Sequence, residues 1–129
     1  MPSPGNSRLS IWRDGININR GEIYLAALDP AIGSEISKTR PVIVISNDIN
    51  NKYSSTVTIL PITSQKLREI YPFEVGLPKG SGGLAKNSKV KADQIRTLDK
   101  SRLIFHQGTL TNDQMEAIDV AIKIHLALQ

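Results

Sequence analysis

The sequence predicts a mainly β (α+β) fold, a small antiparallel barrel, SH3-like or OB-like, closed at one end by a C-terminal helix. Short runs of β-branched residues, bounded by Gly, Pro, Asn and Asp, recur along most of the chain. A long helical period appears only near the C-terminus, where Met115, Ile118, Ile122 and Leu126 follow one another at spacings of three and four. No internal repeat interrupts this order.

At 129 residues the chain reads as one domain, long enough to bury a core without metal or disulfide staples. It has no cysteine, so disulfide frameworks and thiolate sites are excluded, and a reducing cytoplasm is the expected setting. No stretch approaches the ~20 apolar residues of a membrane-spanning helix, and no membrane partner is expected. Sixteen basic residues stand against 12 acidic, a net charge of +4 that favours a polyanionic partner.

Residues 1–19 carry two prolines, Gly, Ser and Asn without period and read as a disordered or artificially appended leader, which holds Trp12. The domain is expected over 20–129. Its first strand is Arg20 to Leu28, stopped by the Asp29-Pro30 turn signal. The loop Ala31 to Thr39 holds Gly33 and small polar residues and is expected to move. Arg40 and Pro41 then lead into Val42-Ile43-Val44-Ile45, four β-branched residues without polar alternation, the pattern of a strand covered on both faces. Pro41, lacking a donor, is expected at the first position of that strand.

A second run, Thr56 to Ile62, ends in Thr63, and the turn-rich stretch between the runs implies an antiparallel hairpin. Its midpoint puts Arg40 and Thr63 near each other across the strands, roughly 4.5–5.5 Å apart at Cα if directly opposed. Beyond it, Lys66 to Ile70 reads as an irregular connection, Tyr71 to Val75 as a strand, and Gly76 to Leu84 as a wide hairpin loop. A phosphate cradle needs Gly-Lys-Ser/Thr opening a helix, and Lys86-Asn87-Ser88 has another order. Ser88 to Leu98 reads as one strand, with Val90, Ala92 and Gln94 on one face and Lys89, Lys91, Asp93 and Ile95 on the other. Asp99-Lys100 turns the chain into a last strand, Leu103 to Leu110. Thr111 and Gln114 form a capping box for the helix, whose additional apolar residues, Val120, Ile124 and Leu128 among them, suggest cover on more than one flank.

For chemistry, absent residues exclude much. His106 and His125 are the two histidines, far apart in sequence and read as structural, and no cluster has metal-ligand spacing. No nucleophile elbow supports a Ser-His-Asp triad. Arg40 remains, with Thr63, Ser64 and Gln94 as hydroxyl and amide partners. Its guanidinium offers a permanently charged fork of donors matched to phosphate oxygens, suited to stabilising charge at phosphorus. RNA brings its own nucleophile, the 2′-hydroxyl, so the protein need supply only position, charge and proton transfer, and DNA would be spared. The bland alternative is a rim arginine paired with Glu35 or Asp48.

Several motifs in order resemble the MazF/PemK family of toxin endoribonucleases, the mRNA interferases. They are Arg20-Gly21-Glu22-Ile23-Tyr24, Gly33-Ser34-Glu35 followed by Thr39-Arg40-Pro41, Pro61-Ile62-Thr63-Ser64, Asp93 to Lys100, and Gly108-Thr109-Leu110. The resemblance implies an SH3-like barrel, a homodimer, and cleavage of single-stranded mRNA at a short recognition sequence, with no metal or other cofactor. It also implies a cognate antitoxin with an acidic, partly disordered segment. Arg40 and Thr63 would be the catalytic pair. Ser34, Glu35 and Lys38 would flank the RNA, with Ser64 and Gln94 at the site, and Glu35 is the candidate general base. Family members often carry a glycine where this chain has Ile36-Ser37-Lys38. The rival reading is a non-enzymatic barrel, either a CcdB-like toxin acting on gyrase or an RNA-binding module.

Overall fold

The computed structural model describes residues 17–129. Trp12 and the expected leader up to residue 16 lie outside the described residues. Seven strands and two α-helices follow: β1 (Glu22–Ala27), β2 (Thr39–Val44), α1 (Asp48–Tyr53), β3 (Thr56–Thr63), β4 (Glu74–Leu77), β5 (Ser88–Lys91), β6 (Arg96–Asp99), β7 (Leu103–Thr109) and α2 (Asn112–His125). All pairings are antiparallel. The sheet runs β4-β5-β3-β2-β1-β7, and β6 adds to β3 beside β5.

The unalternating run of β2 is buried from both sides. Val42, Ile43 and Val44 are each 0% exposed, and successive side chains enter different cores. Ile43 joins Ile23, Leu60, Met115 and Ile118 in the core under α2. Val42 and Val44 join Tyr24, Val57, Ile59 and Leu98 on the opposite face, where Ile18 also packs. Packing thus starts two residues ahead of Arg20.

Four local expectations change. Pro41 is the third residue of β2, opposite Leu25, because the β2–β3 ladder begins only at Val42 and leaves one side of the strand unladdered at the proline. The turn of the β2–β3 hairpin contains α1, capped by Asn47, whose side chain accepts from Asn50 N at 2.8 Å. The strand expected from Tyr71 starts at Glu74, after Pro72, while Tyr71 and Phe73 stack on each other at 5.5 Å. Finally, Ser88 to Leu98 is two strands. From Ile62 back to Ile59 is three residues along β3, but the partner advances six, from Val90 to Arg96. The surplus, Ala92–Gln94, bulges out as a 3-10 turn.

The barrel is open at its edges, β4 and β7, and the β4–β5 hairpin tip covers the gap. The turn Ser81–Gly83 lies so close to β7 that a Cβ on Gly83, which has φ +80°, would sit 2.3 Å from the Gln107 carbonyl oxygen. A Cβ on Gly108 would lie 2.4 Å from the Gly82 carbonyl carbon. Backbone therefore rests on backbone where a ladder would otherwise close the barrel. The capping box at Thr111 and Gln114 is formed, and α2 buries Met115, Ile118 and Ala121. Among the described residues no helix is long and apolar enough to cross a membrane.

Candidate active site

The loop between β1 and β2 forms one wall of the site. Its neck is closed by Leu28 N donating to Lys38 O at 2.8 Å and by Lys38 N donating to Asp29 Oδ1 at 2.9 Å. Its tip is held from the bulge: Gln94 Oε1 accepts from Ile36 N at 2.8 Å, and Gln94 Nε2 donates to Ser34 O at 3.3 Å. Arg96 adds a bond to Pro30 O at 3.3 Å. The segment expected to move is thus fastened to β6 and the bulge, and one glutamine makes both tip contacts.

Between this loop, β3 and β5 lies a cleft of about 450 Å³. Arg40 and Thr63 both line it. The β2–β3 register, continued two residues past Val42↔Pro61, sets them opposite each other, although the ladder itself has ended there. At this level the strands part, and Arg40 pairs in register with Ala26 while Thr63 pairs with Lys89. Arg40 Nε donates to Ser37 O at 3.2 Å, and the guanidinium makes no ion pair among the described residues. Neither suggested acidic partner holds it. Asp48 Oδ1 accepts from Arg20 N and Asn51 Nδ2, and Glu35 Oε1 accepts from Ile32 N at 2.8 Å. The Thr63 hydroxyl accepts from Gln65 N at 3.2 Å, leaving its own hydrogen available.

Ser34, Glu35 and Gln94 line the same cleft as Arg40 and Thr63. Ser64 does not; it lines a smaller hollow on the other side of Arg40. Lys38 borders neither cavity. It has φ +68°, is exposed, and closes the loop neck through its backbone.

Lysines supply part of the cleft that the sequence reading passed over. Lys66, Lys89 and Lys91 all line it. Lys89 is 4% exposed, and its ammonium donates to Lys66 O at 2.9 Å, Glu69 O at 3.0 Å and Glu74 Oε1 at 3.0 Å. Lys91 reaches the other Glu74 oxygen at 2.7 Å. Burial alone would raise the Glu74 pKa, but hydrogen bonds from Lys91, the Tyr71 amide and Lys89 outweigh it, and the pKa is lowered. Burial would likewise lower that of Lys91, yet the bond to Glu74 and the nearby Asp93 charge raise it. The signal was Lys89-Val90-Lys91, a strand with one apolar residue inward and two cations on the opposite face. What it lacked was a partner, since Glu74 lies across the hairpin.

Both histidines stand away from the cleft lining. His106 approaches Glu22 at 3.6 Å and tilts against Tyr24, and His125 lies near the Phe73 ring. Among the described residues no group of three His, Cys, Asp or Glu is placed to hold a metal ion.

The chain and its open antiparallel barrel have counterparts among known proteins. Residues 19–126 match the family described as PemK-like, MazF-like toxin of type II toxin–antitoxin systems. The chain belongs to this toxin family. Endoribonuclease EndoA of Bacillus subtilis (strain 168) is 39% identical over 111 residues, which span 86% of this chain and 96% of that protein. Among solved structures, MazF from Deinococcus radiodurans superposes with a TM-score of 0.75 at 26% identity, covering 87% of this toxin and 98% of that chain. A mycobacterial endoribonuclease in complex with its cognate antitoxin gives 0.73 at 25% identity, covering 87% and 97%. The PemK/MazF fold is thus present over nearly the whole described toxin.

Proposed function

We propose that this toxin is an endoribonuclease that cuts single-stranded mRNA at a short recognition sequence without a metal ion. The observation that carries the reading is that Arg40 and Thr63 line one cleft, in a chain 39% identical to an endoribonuclease over most of its length. Arg40 holds the scissile phosphate and stabilises the charge that develops on its oxygens. The ribose 2′-oxygen attacks phosphorus as the bond to the 5′-oxygen of the next nucleotide breaks, giving a 2′,3′-cyclic phosphate and a 5′-hydroxyl. Thr63 donates its hydroxyl to a phosphate oxygen and fixes the phosphate against Arg40.

Glu35 takes the 2′-hydroxyl proton in this scheme, and Arg40 acts as the acid that delivers a proton to the departing 5′-oxygen. Its Oε1 is occupied by Ile32 N, and Oε2 has no partner among the described residues. Ser34 and Gln94 shape the wall along which the strand lies, and Gln94 acts by holding Ser34 and Ile36 in place. Ser64 meets the chain from the hollow on the other side of Arg40, and Lys38, which borders neither cavity, contacts RNA only beyond the cleft.

The toxin works in the cytoplasm as a homodimer. Val120, Ile124 and Leu128 are 56%, 48% and 58% exposed and offer apolar surface to a second copy. Its antitoxin presents an acidic, partly disordered segment that competes with RNA for the cleft and folds as it binds. The solved mycobacterial complex of endoribonuclease and cognate antitoxin supports such a partner.

One gel tests the reading. Labelled single-stranded RNA should be cut in EDTA, and the same RNA with a 2′-deoxy sugar at the cut site should stay intact. Arg40→Ala, shown folded by thermal unfolding, should lose at least about a hundredfold in rate. RNA that is bound but never cut would identify a binding barrel instead.

A further inference from the structure

Lys89 borders the cleft but has no hydrogen left to offer a ligand. All three on its ammonium are taken, by Lys66 O, Glu69 O and Glu74 Oε1. Two of these acceptors lie in the segment that follows β3, so an ammonium reaching from β5 ties that segment down from beneath. Lys66 needs such a tie. Its φ of +53° is in the left-handed region, which a residue with a side chain rarely adopts and which persists only where the surroundings impose it. The exposed Lys66 side chain is thereby set along the cleft, and its ammonium makes no ion pair among the described residues.

Lys91 borders the same space. It lies two residues beyond Lys89 on β5 and so shares its face. Glu74 Oε2 takes one of its hydrogens at 2.7 Å, and Asp93 Oδ1, at 3.7 Å, is too far for a hydrogen bond. Hydrogens therefore remain on an ammonium that is partly exposed. Glu74, which carries the counter-charge, is buried and does not line the cleft. Glu35 is the one acid among the lining residues, against Arg40 and three lysines. No aromatic ring lines the cleft, so the lysine wall offers charge and donors rather than a stacking surface.

The order of the sheet sets where this wall stands. β2 and β5 flank β3, and Thr63 pairs with Lys89, so Arg40 and the lysines of β5 lie on opposite sides of Thr63. We infer that Lys66 and Lys91 form a second phosphate seat, which takes the RNA phosphate next to the scissile one while Arg40 and Thr63 hold the scissile one. Ammonium groups suit this task, as point charges that fix the course of a backbone without reading its bases. Two seats on either side of Thr63 hold the strand in one course across the bond to be cut. The inference rests on the endoribonuclease reading and adds a binding subsite to its cleft.

The test is binding of RNA blocked by a 2′-deoxy sugar at the cut, with one phosphate at a time replaced by a neutral methylphosphonate, read by fluorescence anisotropy at fixed salt. With the wild-type toxin, neutralising the scissile phosphate and neutralising one of its two neighbours should each weaken binding by roughly three- to tenfold. Lys66→Met and Lys91→Met, shown folded by thermal unfolding, should each shrink the neighbour's penalty and keep the scissile one. Arg40→Met should do the reverse. If Lys91→Met does not fold, Lys66→Met decides the matter, because that side chain is exposed and unpaired. A wild-type toxin with no penalty at either neighbour, or folded lysine variants that keep the full penalty, would overturn the second seat. A toxin that cuts no RNA at all fails the endoribonuclease reading instead, and the two failures are distinguishable.

Discussion

Glu74 holds two lysines on one carboxylate, and its side chain is 1% exposed. Removing its charge leaves Lys89 buried among two carbonyls with no counter-ion. Glu74→Gln should therefore cost about 3–5 kcal/mol of unfolding free energy, measured in urea. The pH dependence has a definite sign. The Glu74 pKa is lowered on folding, so its contribution is complete above the ordinary carboxylate range and is lost as pH falls through the lowered value. That of Lys91 is raised, so its contribution is complete below the ordinary lysine range and is lost as pH rises through the raised value. Melting temperature against pH should show both limbs in the wild type and flatten in Glu74→Gln. At Arg40, lysine is no substitute. Arg40→Lys keeps the charge but loses the planar fork, and should remain well below wild-type cleavage in single-turnover assays while melting near the wild-type temperature.

The elements differ in how visible they were beforehand. β2 was readable because burial on both faces leaves an unbroken apolar run, and the capping box because Thr111 and Gln114 are local to each other. Thr111→Ala should cost about 1 kcal/mol, seen as a shift in the urea midpoint at constant slope. The bulge at Ala92–Gln94 was not readable. Its cause is that β5 and β6 use the same edge of β3 in different registers, and a register is set by the partner strand. The lysine network was hidden for a related reason, since Glu74 and Lys89 meet only through the hairpin pairing. Hairpin geometry did expose the neighbourhood of Arg40 and Thr63, because a symmetric turn fixes which residues meet at its open end.

At the scale of the molecule, the gap between β4 and β7 is covered by glycine on backbone. Gly108→Ala places a methyl 2.4 Å from the Gly82 carbonyl carbon, where no flexible side chain can yield. It should destabilise the toxin by about 1–3 kcal/mol by thermal or urea unfolding, with Gly33→Ala, whose Cβ meets nothing within 4 Å, as the comparison for backbone strain alone. The net charge of +4 bears on binding as a whole. Affinity of the uncut 2′-deoxy RNA should fall linearly with salt on a logarithmic plot, and Lys66→Ala should lower the slope by about one ion, as titration by fluorescence anisotropy would report. Antitoxin binding should weaken along with it if the same cleft is used.

The three surplus residues between β5 and β6 separate what the sheet requires from what the cleft displays. Each flanking strand keeps its own grip on β3, so neither ladder counts the length of the excursion between them. Residues added around Asp93 and Gln94 would remodel the wall that RNA meets while leaving the scaffold's spacing untouched. Variation in the shape of that wall can thus accumulate at this point in small steps, without the fold being renegotiated each time.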